Sequence, residues 1–426
     1  MAPFGPYVDS LESLTRDILN QYGSATDDRL LAALDGQPQR ELRARVAASV
    51  RKQYGAFFTG SALSSAALAQ VPQNELKQAV VLDPACGAGD LLVACAKQLE
   101  VRRTLPDTLL AWTEQLHGFD IHPEFVRAAK LRIVLTALLR GARPTGHLDL
   151  DQVLTNIRVG DGLEEVHTVA THIFTNPPFH YIDTPDACTW TSGIVSAAAV
   201  FFERWTRADL APVRIVGILP DVLRSGARYR QWRHLIERRC SIIECQTYGA
   251  FDSVVDVDVF ILHASVKHDH TPTPFTWTPS QTPKRKIADA FSVSVGPVVP
   301  HRHPHAGPWH AYVDTSSLPP WQKLTSVPTR RQWDGRVARP PFVAIRRTSA
   351  PRDKFRAVAS IVSGREPVAV ENHLIICTPH SRTVRSCQQL LEHLQTPIVN
   401  SQINEAIRCR HLRTATIADL PWPYDD

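Results

Sequence analysis

The sequence predicts an α/β protein: a Rossmann-like sheet of mostly parallel strands with helices on both faces, followed by a smaller mixed C-terminal region. Three observations carry this expectation. Between residues 50 and 265 short apolar runs alternate with helical stretches, the pattern of strands joined by crossover helices. The run Val80-Val81-Leu82 passes straight into a glycine turn, Asp83-Pro-Ala-Cys-Gly-Ala-Gly89, and then into a helical stretch, as at the ligand-binding turn of open α/β sheets. At 271–283 the alternation stops in the Pro/Thr-rich segment TPTPFTWTPSQTP, which reads as an extended linker or the entry to a second domain.

The elements follow in order. A chain of 426 residues with 43% hydrophobic and 21% charged residues is long enough for two or three domains and has ordinary globular composition. Leu11, Leu14, Ile18 and Leu19, then Leu30, Leu31, Leu34, Leu42 and Val46, recur at helical spacing, so residues 1–49 form an N-terminal helical segment too short for an added nuclease domain. Strands are expected at 79–82, 115–119, 156–159, 172–175, 214–219, 241–247 and 256–263. Helices are expected at 89–99, 123–139, 196–208 and 228–238. The last two strands have only a short loop between them and should pair antiparallel at the sheet edge. These elements make a catalytic domain of 50–268, and residues 269–426 make a second region with helical signals at 384–394 and 400–408.

Charge divides at the same place. The whole chain is formally +5, but residues 271–426 hold 20 Lys/Arg against 11 Asp/Glu, or +9, leaving 27 against 31, or −4, for residues 1–270. A basic region on one side of a near-neutral one is what a phosphate backbone attracts. Arg330, Arg331, Arg336, Arg339, Arg346, Arg347, Arg352, Lys354 and Arg356, interleaved with Trp333, Phe342 and Phe355, suit phosphate contacts with some groove readout; the plainer reading is a solvated positive face. Eight cysteines without a C-x-x-C pair favour neither a zinc site nor a disulfide framework and fit a reducing cytoplasm. The opening MAPFGPYVDSLESL has no signal-peptide pattern, and no uninterrupted apolar run is long enough for a membrane span. His301, His303 and His305 alternate in a Pro-rich loop without a partner cluster, so no metal is expected.

Four strand ends carry polar groups: Asp83; Asp120 in Gly118-Phe119-Asp120-Ile121, 37 residues later; Asp161 in Val159-Gly160-Asp161-Gly162; and Asn176 in Asn176-Pro177-Pro178-Phe179. Singly, each Asp serves equally well as a helix cap or turn residue. Together they line the carboxyl edge of one sheet, where open α/β folds bind ligands. A carboxylate such as Asp120 can accept ribose hydroxyls, and Asp161 an exocyclic amine.

DPACGAGD, GFDIHPEF, GDG and NPPF in this order resemble the S-adenosylmethionine-dependent N6-adenine DNA methyltransferases. Tyr54-Gly-Ala-Phe-Phe-Thr-Gly60 upstream is similar to the Y-G-x-F-F-T-P segment of their gamma group, which includes the TaqI-type and type I modification enzymes. The resemblance covers 50–265 well and extends more loosely to Ala415–Pro423 (ATIADLPWP). It implies a class I methyltransferase sheet followed by a target-recognition domain, with S-adenosyl-L-methionine as cofactor. By the same comparison Tyr54, Phe58 and Thr59 belong to the methionine end, Asp83, Ala85 and Gly87 to the amino-acid part, Asp120 and Ile121 to the ribose, and Asp161 and Gly162 to the adenine. It implies too that Phe251, in Tyr248-Gly-Ala-Phe251, is an aromatic partner for the substrate base; the plainer reading is a core Phe in a hairpin loop. Three positions depart from the family pattern: Gly60 replaces proline, Asp90 stands where an aromatic or small residue is frequent, and Phe179 replaces tyrosine.

The NPPF chemistry follows from the residues themselves. An adenine amine is a poor nucleophile because its lone pair is delocalised into the ring. Catalysis needs acceptors for its hydrogens, and Asn176 offers a side-chain oxygen and Pro177 a carbonyl. Pro177 and Pro178 stiffen the turn, and Phe179 supplies a stacking face. In duplex DNA the base must first be flipped out. Cytosine C5 methylation is disfavoured because no cysteine lies in a Pro-Cys context. Two alternatives stay open: methylation of RNA or of a protein glutamine amide, and a catalytically silent DNA-specificity subunit. The expectation is a site-specific adenine methylase of a restriction-modification system, cytoplasmic, acting on double-stranded DNA beside a separate cognate restriction endonuclease.

Overall fold

The computed structural model describes residues 2–20, 28–54, 57–145, 148–149, 151–207, 214–251, 257–267, 269, 271–278 and 283–424. The chain divides into two compact units, Met1–Phe275 and Thr276–Asp426.

The first unit is built on seven strands: β1 (Val81–Asp83), β2 (Leu116–Asp120), β3 (Ile157–Val159), β4 (His172–Thr175), β7 (Arg214–Pro220), β8 (Cys240–Ala250) and β9 (Asp258–Val266). A separate hairpin, β5 (Tyr181–Asp183) and β6 (Ile194–Ser196), lies between β4 and β7 in the chain. The sheet order is β3-β2-β1-β4-β7-β9-β8. The first five strands are parallel, and β9 runs antiparallel to both β7 and β8. The antiparallel pair expected from the sequence is therefore present, with β9 inserted inside the sheet and β8 at the edge. The buried strands carry continuous apolar runs such as Ile215–Leu219 because helices cover both faces.

Helices form at Asp90–Ala96, Pro123–Leu139, Ala197–Arg204 and Arg230–Arg239, close to the expected places and shorter at several ends. Several elements were not among those expected, including the β5–β6 hairpin and the helices Gly60–Leu68, Gln73–Leu76, Asp221–Ser225 and Leu105–Gln115. The last is capped by the Thr104 side chain, which accepts from the Asp107 N–H. Helix Pro123–Leu139 is buried nearly all round. It packs between the helix after the glycine turn and the N-terminal helix Gly5–Asn20. Gly89, at φ +83°, lets the turn approach it: a Cβ there would lie 2.8 Å from the Ala129 Cβ. The N-terminal helices share this core through Phe4, Tyr7, Leu11, Leu34 and Leu42.

The second unit holds β10 (Phe291–Val295), β11 (Trp309–Val313), β12 (Lys323–Leu324), β13 (Arg330–Gln332), β14 (Phe342–Arg346), β15 (Ala359–Val362), β16 (Val368–Val370) and β17 (Leu374–Pro379). They form a five-stranded sheet, β10-β17-β14-β15-β12, and a three-stranded sheet, β13-β11-β16. On β14, Phe342 and Ala344 face the three-stranded sheet's Val313, Val368 and Val370. Val343 and Ile345 face the opposite way, among Leu390, Ile403 and Ile417 of helices Val384–Leu394, Pro397–Ala406 and Thr414–Ala418. With both faces covered, the strand reads as an unbroken apolar run, and period-two alternation disappears from the sequence. Among the described residues no helix is long and apolar enough to cross a membrane.

The inserted strand is paired along both edges, to β7 and to β8. Ile261 of β9 is fully buried, and Ile261→Ala is expected to cost about 2–5 kcal/mol, seen as a lower urea midpoint for the first unit.

Candidate active site

Strand order does for the site what sequence order could not. With β3, β2, β1 and β4 side by side and parallel, Asp161, Asp120, Asp83 and Asn176 leave neighbouring strands at one edge. They surround a cavity of about 300 Å³, at the low end of the range typical of small-molecule sites. Phe58, Thr59, Asp83, Ala85, Gly87, Asp120, Ile121, Asp161, Gly162, Asn176 and Pro178 all line it. Pro177 is buried and Phe179 half-buried; neither they nor Phe251 line the cavity. Tyr54 closes helix Ala48–Tyr54, and its side chain lies outside the described residues.

The floor is acidic. Asp83 is buried, with Oδ1 accepting from the Ala85 N–H at 3.2 Å. Burial pushes its carboxyl well above the ordinary value, and the nearby Asp120 and Asp90 push in the same direction. Asp120 accepts from the Gly87 N–H (3.0 Å) and the His122 N–H (2.9 Å), so it ties the glycine turn to the end of β2. Enclosure raises its pKa to about 6 against those two hydrogen bonds, which pull it down. Asp161 is exposed and Oδ1 accepts from the Leu163 N–H at 2.9 Å; it is at once a turn residue and a cavity residue. The Cys86 thiol is buried and pushed far up, which removes it as a nucleophile.

Asn176 is held in one orientation. Nδ2 donates to the Phe57 carbonyl at 3.2 Å and to Thr59 Oγ1 at 3.1 Å. Oδ1 is buried and has no hydrogen-bond partner among the described residues. A buried, unpaired acceptor in a cavity wall is costly unless a ligand donor completes it. The sequence placed Thr59 at a cofactor; in the structure it also grips Asn176. Phe179 and Phe251 meet edge to face, centroids 5.3 Å apart at 79°, and Phe57 meets Phe251 at 6.4 Å and 72°.

Asp90, singled out in the sequence as a departure at the glycine turn, lines the cavity too, whereas Phe57, His122, Phe125, His180, Ile182, Ala197 and Phe201 were not foreseen. His180 and Ile182 come from the unpredicted β5 hairpin directly after NPPF. Ala197 and Phe201 stand at i, i+4 on one helix face, a pattern indistinguishable in sequence from core packing. Phe125 lies 5.0 Å from both Phe58 and Phe4, so the N-terminal helices back the cavity wall.

In the second unit the basic residues separate into three kinds. Arg346 and Arg347 are half-buried and donate, the first to the Leu318 carbonyl and the second to those of Leu412 and Asn372. Arg336, Arg339, Arg352 and Lys354 are exposed, as is Arg330, which pairs with Glu366 at 2.8 Å. Arg356 is buried and donates to Ser349 Oγ, Asn404 Oδ1 and the Cys409 carbonyl. Arg331 is buried against Tyr312 and donates to the His303 carbonyl and His305. Trp333 and Phe342 are buried too. Those four support the unit's interior, so only part of the sequence cluster is exposed. His303 Nδ1 accepts from the Val299 N–H, which occupies that histidine structurally.

Residues 42–190 match the family model described as N-6 DNA Methylase. None of the curated proteins matches the chain. Among solved structures the chain is similar to the Type IIL restriction-modification enzyme MmeI in complex with DNA: 11% identity, 91% of this chain, 71% of that chain, TM-score 0.55. Fold likeness rests on that match. The type IIG restriction endonuclease BpuSI gives 13% identity over 86% and 58%, TM-score 0.40. The Type I restriction enzyme EcoKI M protein gives 17% over 55% and 49%, TM-score 0.38.

The raised pKa gives a direct check on the cavity floor. In an NMR titration of carboxyl-labelled aspartates, Asp120 should lose its proton near pH 6, against about 3.9 for a free side chain, and the signal should vanish in Asp120→Asn.

Proposed function

Taking residues 42–190 as the N-6 DNA methylase domain that they match, we propose that this protein is a site-specific DNA-methyltransferase of a restriction-modification system. It transfers a methyl group from S-adenosyl-L-methionine to the N6 amine of an adenine flipped out of duplex DNA. The observation that carries this reading is Asn176 Oδ1: a buried acceptor without a partner among the described residues, in the wall of a cavity floored by Asp83 and Asp120.

The residues fit the cofactor. Asp83 offers an anionic group for an ammonium, Asp120 accepts ribose hydroxyls, and Ile121, Phe125 and Phe201 give apolar contact. When bound, S-adenosylmethionine supplies an electrophilic methyl on a sulfonium. Asn176 Oδ1 and the Pro177 carbonyl would accept the two hydrogens of the target amine, shifting its lone pair out of conjugation; as the N–C bond forms, the methyl–sulfur bond breaks to leave a neutral thioether, and one amine hydrogen departs to solvent as a proton. Because Nδ2 is already committed to Phe57 and Thr59, the amide presents its acceptor end without reorganisation. Phe179 provides a stacking face, and no covalent intermediate on the enzyme is needed.

The second wall is Phe251. A base held between two parallel rings needs about 7 Å between their planes, twice a van der Waals contact of ~3.5 Å. The edge-to-face contact of Phe179 with Phe251 leaves no such slot, so base entry requires the two rings to part. The second unit carries the +9 charge, with 20 Lys/Arg against 11 Asp/Glu over 276–426. That balance favours DNA over a protein amide as substrate. The cognate endonuclease is a separate chain in this reading.

Incubation with labelled S-adenosylmethionine and unmethylated DNA, followed by digestion to nucleosides, should place the label in N6-methyladenine. Label in RNA, in a protein glutamine or in another base would overturn the assignment. Asn176→Ala should keep cofactor binding by calorimetry and lose about 10²–10³ in transfer rate. Phe251→Ala should leave cofactor affinity within twofold and weaken binding of DNA carrying an unpaired target base, a stacking contact being worth ~1–3 kcal/mol.

A further inference from the structure

Two of the family departures, Gly60 and Asp90, meet in space. Gly60 sits at φ +72°, where proline, fixed near −65°, cannot go. Its N–H, which proline lacks, donates to Asp90 Oδ2 at 2.7 Å. Asp90 Oδ1 pairs with Arg132 Nη1 at 2.8 Å, the two side chains being 8% and 1% exposed. Arg132 in turn donates to the Ala88 carbonyl (2.5 Å) on the glycine turn and to the Ala33 carbonyl (2.8 Å) of the N-terminal helices. The segment 57–60 is thus pinned at its Gly60 end by a buried ion pair, while the Phe58 N–H is held by Gln39 Oε1 at 3.0 Å. Two more of its polar groups, the Phe57 carbonyl and Thr59 Oγ1, are the acceptors for Asn176 Nδ2.

We propose that Asp90 is a positioning residue for the transfer step. With Arg132 it fixes the turn at Gly60, the turn fixes Phe57 and Thr59, and these fix the rotation of the Asn176 amide that turns Oδ1 toward the substrate amine. A 180° rotation of that amide would set its NH₂ against the amine, donor against donor. The Thr59 hydroxyl can rotate to satisfy either orientation, but the Phe57 carbonyl accepts only. The discrimination therefore depends on where the backbone of 57–60 is held. This inference rests on the reading that Asn176 Oδ1 accepts from the target amine.

The test uses full-length Asp90→Asn, Thr59→Val and Thr59→Ser, and the double variant D90N/T59V. In ligand-free protein labelled with ¹⁵N-asparagine, the Asn176 side-chain NH₂, assigned by Asn176→Ala, should exchange with solvent at least tenfold faster in D90N and in T59V, and at the wild-type rate in T59S. With saturating S-adenosylmethionine and DNA, kcat should fall at least tenfold in D90N and T59V, with KM for DNA within threefold. The double variant should be little slower than either single one, because both act through the same amide. Unchanged Asn176 exchange, or fully multiplicative losses in kcat, would overturn the proposal. Should D90N fail to fold, Asp90→Glu carries the same comparison, since it keeps a carboxylate beside Arg132 and displaces it from the Gly60 N–H; wild-type Asn176 exchange in D90E would overturn the role of Asp90. If wild type methylates no DNA while the exchange contrast holds, the functional reading falls and the positioning of Asn176 stands.

Discussion

Arg132 brings a guanidinium into the interior of the first unit, where an unpaired charge is not tolerated. Asp90 supplies the counter-charge, and the backbone carbonyls of Ala33 and Ala88 take up other donors. Four pieces of chain that are far apart in sequence meet at this pair: the N-terminal helices, the turn at Gly60, the glycine turn and helix Pro123–Leu139. Replacing such a pair by apolar groups can be neutral, whereas removing one partner costs about 3–5 kcal/mol. The arrangement is therefore a specific lock whose parts must be present together. Gly60, which departs from the motif that its segment resembles, is the donor that the Asp90 carboxylate holds.

The same economy governs the cavity. Asp120 and Asp83 are partly satisfied by backbone N–H groups of the turns that they abut, so each stabilises the loop it sits in and still faces the cavity. Burial raises the pKa of both, since low-dielectric surroundings disfavour the charged form, and for Asp83 the neighbouring Asp120 and Asp90 add to it. Asn176 shows the same logic with neutral groups, one end satisfied by Phe57 and Thr59 and the other without a partner among the described residues.

In the second unit the lesson is one of division. Nine basic residues in a short span look like one surface, but Arg331 and Arg356 turn inward to bind carbonyls and side chains, and Arg330 pairs with Glu366. Arginine does both kinds of work because its planar fork satisfies several interior acceptors at once. Phe342, placed beside these residues in sequence, belongs to the contact between the two sheets.

The sequence by itself determined the sheet, the order of its motifs and the identities of Asp83, Asp120, Asp161 and Asn176. Each stands at the end of an apolar run and next to a glycine or proline turn, and those signals are local. Short elements such as the β5–β6 hairpin, and strands like β14 that are buried on both faces, left no period to read. Tertiary structure alone decided that Asp90 answers Gly60 and Arg132, that Thr59 holds the Asn176 amide, that Phe251 rests edge-on against Phe179, and which arginines turn inward. Those facts depend on segments tens of residues apart meeting at contact distance, and the rotation of an amide or a ring is set by neighbours that no local pattern names.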